Sequence, residues 1–192
     1  NEENGIAPTL EELKVELDKL ELDIPIEVII VNDGSSDRTK EEIEKQIGGI
    51  LRLVNHPRNK GYGASLKTGI DAAQYPWILI TDADGTYPNV HIPEILAERS
   101  EEYDMIVGAR IGEKRQIPLI RRPPKWVLRK LASILSGNHI PDLNSGFRLM
   151  RRDVVQQFYN ILPNGFSFTT TITLAMFSAG YHVKYIPINY LK

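Results

Sequence analysis

The chain has 192 residues, of which 25% are charged and 42% apolar, with a net charge of −2. That length and balance fit one globular domain with a substantial core, argue against disorder or a fibre, and give no global attraction to nucleic acid. It has no cysteine, which excludes a disulfide framework and any thiolate metal site, so a metal would have to be held through oxygen or imidazole.

Thr9 followed by Glu12 reads as a capping box, and Leu10, Leu13, Leu17 and Leu20 recur at helical spacing, predicting a first helix that ends near Asp23 and Pro25. The β-branched run 26–31 has no polar alternation, as in a parallel strand covered on both faces. After a loop at 32–37 the expected order is helix 39–47, strand 50–54, a glycine-containing loop, helix 64–74, strand 77–81, helix 92–101 and strand 104–109. Pro93 suits a first helical turn. Such alternation predicts an α/β fold: an open, mostly parallel sheet with helices on both faces and ligands at the carboxyl ends of its strands. Beyond residue 110 a basic, proline-containing stretch leads to a helix at about 125–136. The rhythm resumes near Phe147, with helices at 151–160 and 169–179 and a strand at 181–186 closed by Pro187. Polar Asn1-Glu2-Glu3 runs directly into the first helix, so a sheet opening on a strand would lack that strand here. The longest apolar runs, such as 28–31 and 77–80, fall far short of the roughly 18 residues of a membrane span. The N-terminus has no signal-peptide pattern, so a cytosolic face is the default expectation.

Two acidic loops carry the chemistry. Asp33-Gly34-Ser35-Ser36-Asp37 follows strand 26–31, and Asp82-Ala83-Asp84-Gly85 follows strand 77–81, so both should open on one sheet edge. Side chains two apart in an extended segment point to one side, which lets Asp82 and Asp84 offer converging carboxylates to Mg2+ or Mn2+. Asp33 suits hydrogen bonding to a base or sugar edge, while Gly34 and Ser35 allow close backbone approach. Against this, Asp-X-Asp after a strand is also ordinary turn or cap chemistry. Gly61-Tyr62-Gly63 precedes a helix, but its spacing does not match a dinucleotide fingerprint, and a simple loop is the favoured reading. Eight basic residues (Arg110, Lys114, Arg115, Arg121, Arg122, Lys125, Arg129, Lys130) face one acid, Glu113, between positions 110 and 130. The helix there, with Trp126, Leu128, Leu131, Ile134 and Leu135, reads equally as a membrane-surface helix or as a core helix with a solvated basic face. Arg148 is open to a role as a structural cation, and no spacing argument decides this. His56, His91, His139 and His182 show no metal or triad spacing and are assigned to surface or satisfied-core roles.

Taken in order, these segments resemble the inverting family 2 glycosyltransferases of the GT-A fold, in the branch related to dolichyl-phosphate mannose synthase and bacterial polyprenyl-phosphate glycosyltransferases. The resemblance spans nearly the whole chain. It rests on Asn1-Glu2-Glu3, on Val31-Asn32-Asp33-Gly34-Ser35-Ser36-Asp37, on Asn59-Lys60-Gly61-Tyr62-Gly63-Ala64, on Asp82-Ala83-Asp84-Gly85 with Tyr87-Pro88, and on Val107-Gly108-Ala109-Arg110. Asp142-Leu143-Asn144-Ser145-Gly146-Phe147-Arg148 and Gly165-Phe166-Ser167-Phe168-Thr169-Thr170-Thr171 match the lipid-phosphate branch in particular.

The resemblance implies a single catalytic domain over 1–192, lacking the family's first strand and C-terminal extension. It implies a nucleotide-sugar donor, UDP- or GDP-linked, bound by Asp33, Gly34, Ser35, Lys60, Gly61, Asp82 and Asp84. Asp33 would contact the base, Asp82 would lie near ribose or diphosphate, and Asp84 would bind Mg2+ or Mn2+ directly, with Asp82 as the second metal carboxylate. Arg110 and Arg148 would act with Asp84 in catalysis, and Arg129, Lys130 and Arg148 would meet the phosphate of a polyprenyl-phosphate acceptor at the cytoplasmic face of a membrane. An acceptor phosphate is already ionised at neutral pH and needs no protein base, so catalysis reduces to positioning and stabilising the leaving nucleoside diphosphate. Many relatives carry Gln two residues after the second metal Asp, where this chain has Thr86. The alternatives are a glycosyltransferase with a non-lipid acceptor, a non-catalytic nucleotide-sugar-binding module, and a haloacid-dehalogenase-type phosphatase. The last arises because 78–86 also resembles that family's nucleophile motif, with Asp82 as nucleophile and Asp84 as acid-base.

Overall fold

The computed structural model describes residues 1–20, 24–110 and 140–189. The expected helix at 125–136 and most of the basic stretch, Arg129 and Lys130 included, lie outside the described residues.

Helix α1 (Ile6–Asp18) starts earlier than the predicted capping box. The N–H groups of Gly5 and Ile6 donate to the Glu2 carbonyl (3.0 and 2.9 Å), and Pro8 fits the first turn because no N–H is needed there. Thr9 therefore sits inside the helix, its hydroxyl donating back to the Gly5 carbonyl (2.9 Å). Strand β1 (Val28–Asn32), helix α2 (Thr39–Glu44), strand β2 (Leu51–Asn55), helix α3 (Tyr62–Ala72) and strand β3 (Trp77–Ile80) follow. A single 3-10 turn (Asn89–His91) leads into helix α4 (Ile92–Ala97), with Pro93 early in the helix as expected. Strand β4 (Met105–Arg110), strand β5 (Arg148–Arg151), helix α5 (Arg152–Gln157), helix α6 (Phe168–Ser178) and strand β6 (Val183–Ile188) complete the described elements.

The strands form two sheets among the described residues: a parallel pair β1-β2, and a four-stranded sheet in the order β3-β5-β4-β6. β4 and β6 are parallel, whereas β5 lies antiparallel between β3 and β4. β5 departs from the βαβ rhythm: the chain enters it from the 140–147 loop and runs opposite to both neighbours. β6 runs on to Ile188 and includes Pro187, the residue expected to close it. Pro187 is exposed and paired only with Ala109, on a strand with β4 as its one described neighbour, a place where a missing N–H costs little.

Alternating side chains of each strand feed two cores. Ile106, Leu149, Ile186 and Ile188 pack with Ile6, Leu10 and Leu13 of α1, Ile43 of α2 and Ile92 and Ile95 of α4. Met105, Val107, Met150 and Ile80 pack on the other face with Ile70 of α3, Val154 and Val155 of α5 and Phe168, Ile172 and Met176 of α6. Helices thus cover both faces, as the period-2 strands and amphipathic helices require. None of the described helices is long and apolar enough to cross a membrane.

Candidate active site

β3 ends at Ile80, and the segment that follows opens into a cavity of about 620 Å³ whose wall includes Asp82, Asp84, Tyr62, Gly146, Phe166 and Thr170. The two carboxylates paired by spacing therefore share one space at the carboxyl end of a strand. Asp84 is exposed, and its Oδ1 accepts hydrogen bonds from the Thr86 N–H (3.0 Å) and hydroxyl (2.6 Å) across Gly85, whose φ of 71° needs no β-carbon. Thr86 thus orients the carboxylate of Asp84. Asp82 lies deeper and accepts a hydrogen bond from the Tyr62 hydroxyl. Burial first, and then the Asp84 charge, push the Asp82 carboxyl above the ordinary range, while Tyr62, Arg110 and Arg148 pull the other way. Gly146 packs against this group: a β-carbon there would stand 2.8 Å from Asp82 Oδ2 and 3.2 Å from the Tyr62 hydroxyl. The Gly146 N–H donates to the Tyr87 hydroxyl (2.7 Å), and Tyr87 stacks on Phe147, fixing that wall.

A divalent cation fits this donor set. The Asp84 charge adds to the cost of ionising Asp82, and a hard cation held between the two carboxylates would remove that cost. Among the described residues no cluster of three or more His, Cys, Asp or Glu is arranged to hold a metal, so the remaining positions would fall to substrate phosphate oxygens and water, the usual arrangement for Mg2+.

The Asp33 carboxylate is held by hydrogen bonds within the chain. Asp33 Oδ1 accepts from His56 Nδ1 (2.7 Å) and the Lys60 N–H (2.8 Å), and Oδ2 from the Gly61 N–H (2.9 Å). His56 Nε2 lies 2.9 Å from the Thr68 hydroxyl on α3. Burial tends to raise the Asp33 carboxyl, but the hydrogen bonds from His56, Lys60 and Gly61 outweigh it and hold it below its ordinary value. The close approach permitted by Gly34 (φ 67°) is to this chain's own backbone, since a β-carbon would meet Arg58 C at 2.5 Å. The Ser35 N–H donates to buried Asn32 (3.1 Å). Gly61 and Gly63 press on the loop before α6, with β-carbon positions 2.6 Å from the Asn164 carbonyl and 2.2 Å from the Pro163 carbonyl. The Ala64 N–H is taken by that Asn164 carbonyl (3.1 Å). Asp33 holds Gly61, Gly61 starts α3, and Tyr62 reaches Asp82, so Asp33 is connected to the cavity through backbone geometry.

Asp33→Asn is expected to flatten the acid limb of stability. A carboxyl held below its ordinary value contributes stability that is complete above its unfolded pKa of about 4 and lost as pH falls through the lower folded value. Urea midpoints measured from pH 7 down to pH 2 should fall less in the variant, and parallel curves would contradict the assignment.

Arg110 forms a two-pronged pair with Asp142, Nε to Oδ2 at 2.6 Å and Nη2 to Oδ1 at 2.9 Å, close enough to Asp82 to favour its charge. Arg148 is fully buried and is not part of the cavity wall. Its Nε donates to the Ser145 carbonyl (2.9 Å) and its Nη1 to the Thr169 carbonyl (3.2 Å) and Thr173 hydroxyl (3.0 Å). The guanidinium thus ties the 145–146 wall to α6, in agreement with the structural role left open for it. Sequence reasoning singled out none of Tyr62, Tyr87, Gly146, Phe166 or His56 as a site residue. Tyr62, Tyr87, Gly146 and Phe166 stand within the quoted motifs, but their contacts run across 20 to 104 positions of chain and leave no local spacing signal.

Fold and cleft together define a GT-A-type α/β protein with an acidic pocket at its strand ends. The solved glucosyl-3-phosphoglycerate synthase from Mycobacterium tuberculosis, in complex with Mn2+, UDP and phosphoglyceric acid, has the same fold, with a TM-score of 0.74 at 18% identity over 98% of this chain and 66% of that one. The family description "Glycosyl transferase family 2" matches residues 1–158, and the chain belongs to that family as a glycosyltransferase enzyme. The phosphatase alternative falls with this match. A dolichyl-phosphate hexose transferase of Haloferax volcanii is 31% identical over 99% of this chain and 78% of its own length. A dodecaprenyl-phosphate galacturonate synthase of Rhizobium johnstonii is 29% identical over 82% of this chain, which spans about half of it (47%).

Proposed function

We infer that the chain transfers a sugar from a UDP- or GDP-linked donor to a polyprenyl phosphate, with inversion, at the cytoplasmic face of a membrane. The observation that carries the donor half is the pair Asp82 and Asp84 on one cavity, with Asp82 raised by burial and by its neighbour. Asp84, oriented by Thr86, and Asp82, held by Tyr62, would hold Mg2+ or Mn2+, which would supply positive charge for the leaving diphosphate. Arg110, fixed by Asp142, adds positive charge beside them. The acceptor half is supported by the relatives whose names carry dolichyl and dodecaprenyl phosphate. An ionised phosphate attacks the anomeric carbon without a protein base, so the protein's contribution is alignment and charge. Asp33 is assigned to the nucleotide side of the site, directly or through the Lys60-Gly61 backbone it anchors.

The test is transfer of labelled sugar from UDP- and GDP-linked donors to a short polyprenyl phosphate in detergent with Mn2+. Label extracted into organic solvent is the expected result and names the base. Label found only on phosphoglycerate or another water-soluble acceptor would overturn the lipid assignment. Failure of both UDP and GDP to bind with Mn2+ would overturn the donor assignment.

A further inference from the structure

Phe166 is 86% exposed, more than any other large apolar residue described. That placement is not the result of a slack loop. Leu162 and Phe168 on either side are buried at 4% and 0% exposure, and Lys67 Nζ donates to the Leu162 carbonyl (2.6 Å) and to Asn164 Oδ1 (3.1 Å). The Asn164 carbonyl is in turn fixed to the start of α3 by the Ala64 N–H. An anchored loop therefore holds a phenyl ring out at the cavity lip, where burying it instead would gain apolar stabilisation.

Tyr62 stacks beside the ring, with centroids 5.7 Å apart and planes 17° apart, and leaves most of it open to solvent. The far end of Tyr62 donates its hydroxyl to Asp82. The order across the cavity is thus carboxylates, Tyr62 ring, Phe166 ring, solvent. Donor diphosphate belongs at the carboxylate end with its cation, which leaves the Phe166 end of the same cavity wall to a second substrate. We propose that Phe166 is an acceptor-specificity residue, whose ring packs on the isoprenyl unit next to the acceptor phosphate. This rests on the lipid-phosphate reading above and adds the residue that recognises the apolar part. A polyprenyl or dolichyl phosphate carries a branched, apolar C5 group directly behind its reacting phosphate, which suits a fixed aromatic face one ring away from the reacting end.

The experiment compares wild type with Phe166→Ala and Phe166→Tyr, using farnesyl phosphate as acceptor and steady-state kinetics for both substrates. Phe166→Ala should raise the acceptor KM about tenfold, the scale of one lost aromatic contact, with a much smaller change in kcat and in donor KM. Phe166→Tyr should restore most of the loss. Calorimetric binding of farnesyl phosphate should weaken in the same order, and unchanged melting temperatures would show that all three proteins are folded. A rise in donor KM instead would place the ring on the sugar and overturn the proposal, as would an unchanged acceptor KM in an enzyme that does use farnesyl phosphate. A wild type that transfers to other acceptors but neither binds nor uses farnesyl phosphate would overturn the lipid-phosphate reading itself, and this inference with it.

Discussion

Asp84→Ala is expected to abolish metal-dependent UDP or GDP binding and to lower sugar transfer by about 10²- to 10³-fold or more, the scale of losing one element of transition-state charge stabilisation. The fold should survive. Asp84 is exposed, and its hydrogen bonds from Thr86 span a single turn, so their loss costs about 1 kcal/mol. Calorimetry with Mn2+ and each nucleotide, alongside a melting curve, separates the two effects. The variant also loses the negative charge that helps to raise Asp82, so the Asp82 carboxyl should titrate at lower pH than in wild type. In wild type the proton and the cation compete for Asp82, and metal affinity should fall as pH drops through the raised value. Nucleotide binding that persists in Asp84→Ala with undiminished metal dependence would remove Asp84 from the metal site.

The alternation of helix and strand was legible up to residue 110 because each strand there is a short apolar run and each helix carries its apolar positions at 3.6 spacing. The position of Asp82 and Asp84 followed from the same reading, since a strand end fixes where its loop opens. β5 was harder. Its residues Arg148–Arg151 begin and end with arginine, and the strand exists because Leu149 and Met150 point to opposite cores while Arg148 finds carbonyl partners inside. No local pattern announces a buried arginine. The first helix misled because Thr9 and Glu12 have capping-box spacing, yet Pro8 and the Glu2 carbonyl set the start one turn earlier.

Histidine shows the same limit from another side. His56 has no metal or triad spacing, and a surface or satisfied-core role is the expectation. The structure keeps it buried at 6% exposure but places it between Asp33 and Thr68, where it joins the first acidic loop to α3. Its partners lie 23 and 12 positions away, and only the packing of α3 on β1 brings them together. The two acidic loops follow strands of different sheets, not one edge as expected, and are joined through α3: one anchors its start, and the other receives the Tyr62 hydroxyl from it.

Arg148→Met should cost about 2–4 kcal/mol of stability, because the Ser145 carbonyl and the Thr173 hydroxyl lose a buried charged donor while methionine fills most of the space. For a domain of this size that is a fall in melting temperature of about 5–15 °C. Arg148→Lys should recover only part, since an ammonium cannot reach Ser145 and Thr169 together as the guanidinium fork does. Burial pulls the Arg148 pKa below its ordinary value, and the charge is nonetheless kept because carbonyl oxygens surround it. The consequence for function is indirect. Ser145 adjoins Gly146, which packs on Asp82, and Thr169 lies in the first turn of α6, which lines the same cavity. Loosening Arg148 should therefore weaken nucleotide binding in step with stability, and lowering the assay temperature should restore part of both. A variant that keeps the wild-type melting temperature and nucleotide affinity yet loses transfer by more than 100-fold would instead put the guanidinium on the reacting phosphate, the role that the resemblance to the lipid-phosphate enzymes implies.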